Sequence, residues 1–174
     1  KNSEQGGSFR LPCPETEGSI MKLVLQRVSS AAVTIEKTEH YTIGPGLVAL
    51  VGFGHEDGQE EADYLAKKMT ELRIFEDEND QMNRSLLEIA GGCLIVPNFT
   101  LYANAKKGRR PSFTGSMAPD KAAVLFDYFV AVVREKVSKV ETGRFGTNML
   151  VDIQNDGPVT LILDTDEIMP KKPK

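Results

Sequence analysis

Two short segments of this 174-residue chain carry residue types that could do chemistry, and neither has the form of an acid–base pair. The first is Gly157-Pro158-Val159-Thr160, set between Asn155-Asp156 and the apolar run Leu161-Ile162-Leu163. A residue without a side chain beside a rigid ring presents bare backbone carbonyls where an ordinary dipeptide presents bulk. The same pair also serves as a tight turn between strands. A cis bond, the state of roughly 5–6% of X–Pro bonds in folded proteins, would mark it as a deliberate device. The second segment is Pro97-Asn98-Phe99-Thr100-Leu101, polar at the centre of an otherwise apolar strand. A basic loop follows it, Lys106-Lys107-Gly108-Arg109-Arg110-Pro111-Ser112-Phe113. Four cations and an aromatic ring suit phosphate contact, and they equally suit a solvated surface loop.

Other chemistries find little footing. The chain has no Gly-x-Ser-x-Gly elbow, phosphate-binding loop or dinucleotide glycine fingerprint; Gly44-Pro45-Gly46 and Gly91-Gly92 read as turn punctuation. Its two histidines, His40 and His55, fall in loops without a helix-spaced ligand or triad partner. Cys13 and Cys93 match no metal-ligand spacing, and Cys93 in Gly92-Cys93-Leu94-Ile95-Val96 reads as a small core residue. No metal or cofactor is therefore expected. Without a disulfide framework a reducing compartment is favoured, and a cytoplasmic location is expected. The net charge of −4 argues against wholesale binding of nucleic acid and leaves that work to local clusters. No apolar run approaches the roughly 18–20 residues that span a bilayer, so no membrane partner is expected.

The elements that must position these segments are legible as alternating and helical periodicities. Residues 1–20 mix Gly, Ser, Glu and Pro without apolar periodicity and read as an extension or leader. The domain is expected over 21–165, with a basic tail over 166–174. Strands are expected at Lys22–Val28, Ala31–Ile35, Leu47–Phe53 and Gly92–Leu101. Asp57 suits the N-cap of a helix through about Leu72, with Ala62, Leu65, Met69 and Leu72 on one face. Glu76 to Asp80 reads as a solvated loop. Pro119 suits the first turn of a second helix to about Lys136, with Val124, Leu125, Tyr128, Phe129, Val132 and Val133 facing the core. Strands return at Val140–Phe145, Met149–Ile153 and Val159–Leu163. This order implies an α/β domain whose sheet is mixed or antiparallel, with helices on one side.

From Met21 to about Thr165 the chain resembles the D-aminoacyl-tRNA deacylases, also called D-tyrosyl-tRNA deacylases. The likeness runs through Met21–Val28 (MKLVLQRV), Lys107–Phe113 (KGRRPSF), Glu141–Gly146 (ETGRFG) and Asn155–Asp164 (NDGPVTLILD). The resemblance implies a homodimeric three-layer β/β/α domain that hydrolyses the ester between a D-amino acid and the terminal ribose of tRNA. Glycyl-tRNA is a further substrate of the family, since glycine offers no side chain to reject. In such enzymes the Gly157-Pro158 pair, with a cis bond, enters the partner's active site. Its carbonyls stand where an L-side chain would project, so L-esters are rejected by backbone alone.

The same resemblance places Thr100 beside the scissile ester, with Asn98 and Phe99 in the catalytic segment. It implies that Arg27 braces the Gly157-Pro158 loop, that Phe145 and Met149 line the pocket, and that Lys106, Lys107, Arg109 and Arg110 meet the tRNA. A Thr hydroxyl without an adjacent base is a poor nucleophile, which favours positioning over covalent catalysis. Backbone N–H groups around Phe99 and Thr100 would then hold the developing oxyanion. One departure stands out: the family carries Ser-Gln before Phe-Thr, where this chain has Pro97-Asn98. A sister branch that removes L-alanine from a threonine tRNA also carries the proline, but lacks the residue retained here as Phe99. Relaxed chirality on L-alanyl-tRNA, or nucleic-acid binding without catalysis on the same fold, are the rival readings.

Overall fold

The computed structural model describes residues 20–170; residues 1–19 of the expected leader, Cys13 among them, and the end of the basic tail lie outside them. The chain runs β1 (Lys22–Ile35), β2 (Glu39–Ile43), β3 (Gly46–Gly52), α1 (Gln59–Glu71), β4 (Phe75–Glu76), β5 (Met82–Arg84) and β6 (Gly92–Pro97). It continues through α2 (Pro119–Arg134), β7 (Val140–Thr142), β8 (Met149–Asp164) and α3 (Thr165–Ile168). The fold is mixed α/β. Six strands form one sheet in the order β2-β1-β3-β6-β7, with β8 paired to β1. The pairs β3–β6 and β6–β7 are parallel, and the rest are antiparallel.

The central strands are buried on both faces, and this sets the layering. Leu23, Leu25, Leu47, Ala49, Val51, Cys93 and Ile95 point to a core shared with α1 and α2. The alternate residues Val48, Leu94 and Val96 point to a second core with Val28, Val33, Ile35 and Ile43. Period-2 alternation lets one strand serve two cores. The sequence suggests two strands at 22–28 and 31–35, but they are one, bent where the β1–β8 register shifts between Gln26 and Ser30. Its first half pairs with β3 and its second half with β2, so the sheet curls into a nearly closed barrel.

The helices begin and end where local chemistry dictates. Gly58, not Asp57, is the N-cap of α1, and the Glu61 carboxylate accepts from the Gly58 N–H at 2.9 Å. Asp57 is instead buried in the preceding turn, accepting from the Gly54 N–H. Pro119 opens α2 as expected. The buried face of α2 is Ala122, Leu125, Phe126, Phe129, Val130 and Val133; Val124, expected in the core, is 71% exposed. Burying a side chain such as Phe129, which is fully enclosed, contributes about 1.5–3 kcal/mol. The region read as a loop at Glu76–Asp80 joins a small hairpin, β4–β5. The strand expected to reach Leu101 stops at Pro97, because proline cannot donate to the ladder; Phe99–Tyr102 form a 3₁₀ turn instead.

Candidate active site

Past the end of β6, the Asn98 N–H donates to the Val51 carbonyl at 2.7 Å and anchors the 3₁₀ turn to β3. The Asn98 side chain caps that turn, its Oδ1 accepting from the Thr100 N–H at 3.2 Å and from the Thr100 hydroxyl. Phe99 projects outward, 54% exposed, and meets Phe113 edge to face at 5.2 Å. That contact places the basic loop beside the turn. The loop is closed by the pair Asn104–Ser112, whose N–H groups donate to each other's carbonyls at 2.7 and 2.9 Å. Lys106, Lys107, Arg109 and Arg110 are all exposed on it.

A cleft of about 610 Å³ opens between this turn and the segment after β7, with Leu50, Val96, Asn98, Phe99, Phe145 and Met149 among its walls. An apolar pocket of about 300 Å³ adjoins it, and Phe99, Phe145 and Gly146 line both. Phe145 is fixed edge to face on Phe126 of α2 at 5.5 Å. Glycine at 143 is required by packing: a Cβ there would stand 2.6 Å from the Met149 Sδ and 3.1 Å from the Pro97 Cδ. Among the described residues Arg144 is the single ionisable one in the cleft lining. Thr100 does not line the cleft; it lies next to it along the chain, its hydroxyl turned to Asn98.

Nothing in this lining makes a strong nucleophile. Asn98 is an amide and cannot take the Thr100 proton. The buried Cys93 thiol is pushed up to about 12 by burial, and its side chain faces the helix-side core rather than the cleft. The Tyr102 hydroxyl, donating to the Ile20 carbonyl, is raised by burial and then by Asp57 and Asp164, so it stays protonated. Among the described residues no three His, Cys, Asp or Glu side chains come together to hold a metal ion. What the cleft offers is shape, backbone N–H groups and hydroxyls.

The Gly157-Pro158 bond is cis, with Gly157 at φ +122°. From Gln26 to Val28, two steps along β1, the partner on β8 moves five, from Thr160 to Asn155, so the intervening residues are extruded as a loop. The Asn155 side-chain amide bridges the neck of the loop, donating to the carbonyls of Arg27 and Val159, each at 2.9 Å. Arg27, only 4% exposed, lies beneath it. Its guanidinium donates to the Ile74 carbonyl at 2.9 Å and the Asp156 carbonyl at 3.3 Å, and pairs with Glu76 at 3.4 Å and the Asp156 carboxylate at 3.3 Å. Gly157 and Pro158 themselves are exposed. Sequence reasoning missed Glu76 and the β4–β5 hairpin that carries it, because a two-residue strand has no periodicity to read.

One chain does not bring these two centres together. The loop leaves β8 beside Val28, which pairs with Gly46, whereas Asn98 is bonded to Val51 at the far end of β3. Five steps of extended strand separate Gly46 from Val51, roughly 17 Å. On the cleft side of the sheet an apolar row crosses four strands, Val96–Leu50–Val24–Ile162. It passes from Val96, 4% exposed, to Ile162, 73% exposed.

Residues 24–164 match the sequence profile of a family described as D-Tyr-tRNA(Tyr) deacylase. A D-aminoacyl-tRNA deacylase of Bacillus velezensis is 52% identical over 147 residues, which are 84% of this chain and 100% of the relative. One of Koribacter versatilis is 48% identical over 145 residues, 83% of this chain and 97% of the relative. A solved structure described as c-Myc DNA Unwinding Element Binding Protein superposes with a TM-score of 0.76 at 36% identity, over 82% of this chain and 97% of that one. A second, described as a probable eukaryotic D-amino acid tRNA deacylase, has a TM-score of 0.74 at 20% identity, over 83% of this chain and 99% of that one, and shares the fold.

Proposed function

This chain belongs to the D-Tyr-tRNA(Tyr) deacylase family and catalyses D-aminoacyl-tRNA deacylation, an ester hydrolysis; from that premise we propose that its site is completed by a second copy of the chain. The observation that carries this is the separation of roughly 17 Å along the sheet between the Gly157-Pro158 loop and the Asn98–Thr100 turn. A loop held so firmly by Arg27 and Asn155 cannot reach its own cleft. In a two-fold dimer it enters the other one, and the exposed end of the Val96–Ile162 row is the surface the partner covers.

In this arrangement the aminoacyl end of the tRNA lies between Phe145 and Met149 on one side and the Asn98–Thr100 turn on the other. Water adds its oxygen to the acyl carbon, the bond to the ribose oxygen breaks, and the ribose hydroxyl recovers a proton. The Thr100 N–H is already committed to the Asn98 Oδ1 at 3.2 Å, so the Phe99 N–H is the donor for the oxyanion. The Thr100 hydroxyl donates its hydrogen bond to the Asn98 Oδ1, which leaves its lone pairs to accept from the attacking water or the substrate amine. With no side-chain base in the lining, the ribose hydroxyl beside the ester assists the transfer. The carbonyls of Gly157 and Pro158 from the partner occupy the space of an L-side chain, so D-aminoacyl and glycyl esters enter and L-esters do not. Lys106, Lys107, Arg109 and Arg110 hold the phosphates of the acceptor end. The reaction is that of a cytoplasmic, tRNA-binding proofreader without metal or cofactor.

Hydrolysis of matched D-Tyr-, L-Tyr-, Gly- and L-Ala-tRNA, with sedimentation to give the oligomeric state, tests the reading. Release of the D-Tyr and Gly esters alone by a dimer supports it; a fully active monomer refutes the shared site. Pro97 and Asn98, in place of Ser-Gln, favour one second reading, relaxed chirality, and efficient L-Ala release would establish that instead. A mobility shift without deacylation would point to nucleic-acid binding alone.

A further inference from the structure

The wall of the cleft formed by Arg144 to Met149 is held from outside the cleft. At one end the Arg144 guanidinium makes a bidentate pair with Glu39 at 2.8 and 2.6 Å, and Tyr41 donates to the same carboxylate at 2.9 Å. At the other end Asn148 is bonded twice to Glu36: its N–H donates to the Glu36 carboxylate at 2.6 Å, and its carbonyl accepts from the Glu36 N–H at 3.0 Å. Both carboxylates belong to the β1–β2 hairpin, and neither lines the cleft. Glu39 lies on β2 and Arg144 follows β7, the two ends of the strand order, so this pair also latches the curled sheet.

The turn itself supplies a second argument. Glu36 and Lys37 are both left-handed, at φ +48° and +62°, where Asn or Gly is the residue that backbone preference selects. A glutamate kept at a strained position is explained by what its carboxylate reaches, the Asn148 N–H. Inside the segment the Arg144 N–H meets the Met149 Sδ at 3.3 Å and Thr147 donates to the Arg144 carbonyl at 2.9 Å, so the two clamps act on one unit.

We propose that Glu36 and Glu39 are positioning residues that hold both ends of the Arg144–Met149 segment, and through it Phe145 and Met149, in the geometry the aminoacyl ester needs. The inference rests on the deacylase reading for its kinetics, but not for its structural arm. Glu39→Gln and Glu36→Asn are expected to speed amide hydrogen exchange at 144–149 severalfold, whatever the substrate. Misplaced walls are felt in the transition state, so kcat for D-Tyr-tRNA falls about tenfold while KM, set by contacts along the tRNA, stays within about twofold. Glu36→Asn relaxes the turn, so its Tm stays within about 2 °C of the parent even as kcat falls. The charge exchange Glu39→Arg with Arg144→Glu restores kcat to within about threefold. Unchanged exchange at 144–149 in both single variants overturns the clamp. Faster exchange with unchanged kcat overturns the positioning role. Arg144→Gln losing activity that Glu39→Gln keeps would mean that Arg144 touches the tRNA directly, and would also overturn it.

Discussion

Gly157→Ala separates a local cost from a shared-site cost. At φ +122° the backbone is one that L-residues rarely adopt, and the new Cβ would stand 2.8 Å from the Val159 Cγ2 and 3.1 Å from the Arg27 Nη2. Contacts that close force the loop to move, against an Arg27 side chain that is 4% exposed and bonded on several sides. The backbone conformation alone costs about 1–3 kcal/mol, which for a domain of this size lowers Tm by roughly 2–12 °C. This cost arises inside the protomer, in addition to any intrusion into the site opposite. A displacement of about 1 Å at the substrate reduces kcat/KM by roughly 10²-fold. The decisive assay mixes Gly157→Ala with Thr100→Ala, each feeble alone. After random exchange half the dimers are mixed, and each mixed dimer pairs one sound cleft with one sound loop. A quarter of all sites therefore recover. If the mixture, shown by sedimentation to be dimeric and exchanged, is no more active than its separate components, the loop does not act across subunits.

Thr100→Ala is expected to lower kcat by about tenfold with Tm within about 2 °C, because Thr100 is exposed and its hydroxyl bonds only the neighbouring Asn98; steady-state kinetics with thermal denaturation checks both. Replacing Lys107, Arg109 and Arg110 by Ala should raise KM and lessen the slope of log KM against log salt by about 2–3, with kcat retained. The Glu39 carboxyl is held below its ordinary value of 4.5, first by hydrogen bonding from Arg144 and then from Tyr41; Asp77 is held below 3.8, first by the Asn79 N–H. Carboxylates depressed in the folded state contribute stability above their unfolded values and lose it as pH falls through the folded ones. Tm should therefore be level above about pH 5 and decline below about pH 4, less steeply in Glu39→Gln; a decline of equal slope would refute that share.

The elements with sustained periodicity were legible: α1 from Ala62, Leu65 and Met69, and the doubly buried β3 and β6 from their unbroken apolar runs. What stayed hidden depended on partners distant in sequence. Val124 looks apolar enough for the core, yet it faces outward because Phe126 and Val130 set the register of α2. Asp57 has the right type for an N-cap but is taken by the Gly54 N–H, and Gly58 stands in its place. At the site, Asn98–Thr100 and Gly157-Pro158 were visible as polar or side-chain-free residues among apolar ones. Nothing local shows that β8 extrudes its loop far from the Thr100 turn. Nothing local marks Glu36 and Glu39, since the segment they clamp lies more than a hundred residues away.

The pairing of β1 with β8 also governs when the domain can exist. Arg27 and Asp156, which meet across that pair, lie 129 residues apart. At about 5–20 residues per second, a nascent β1 waits roughly 6–25 s for the strand that covers it. Until then its alternating Leu23, Leu25, Val33 and Ile35 have neither of their two cores closed. Such long-range closure slows folding and leaves an apolar strand to chaperones in the interval. Arg27, which braces the Gly157-Pro158 loop, thus waits out that whole interval before it finds its place.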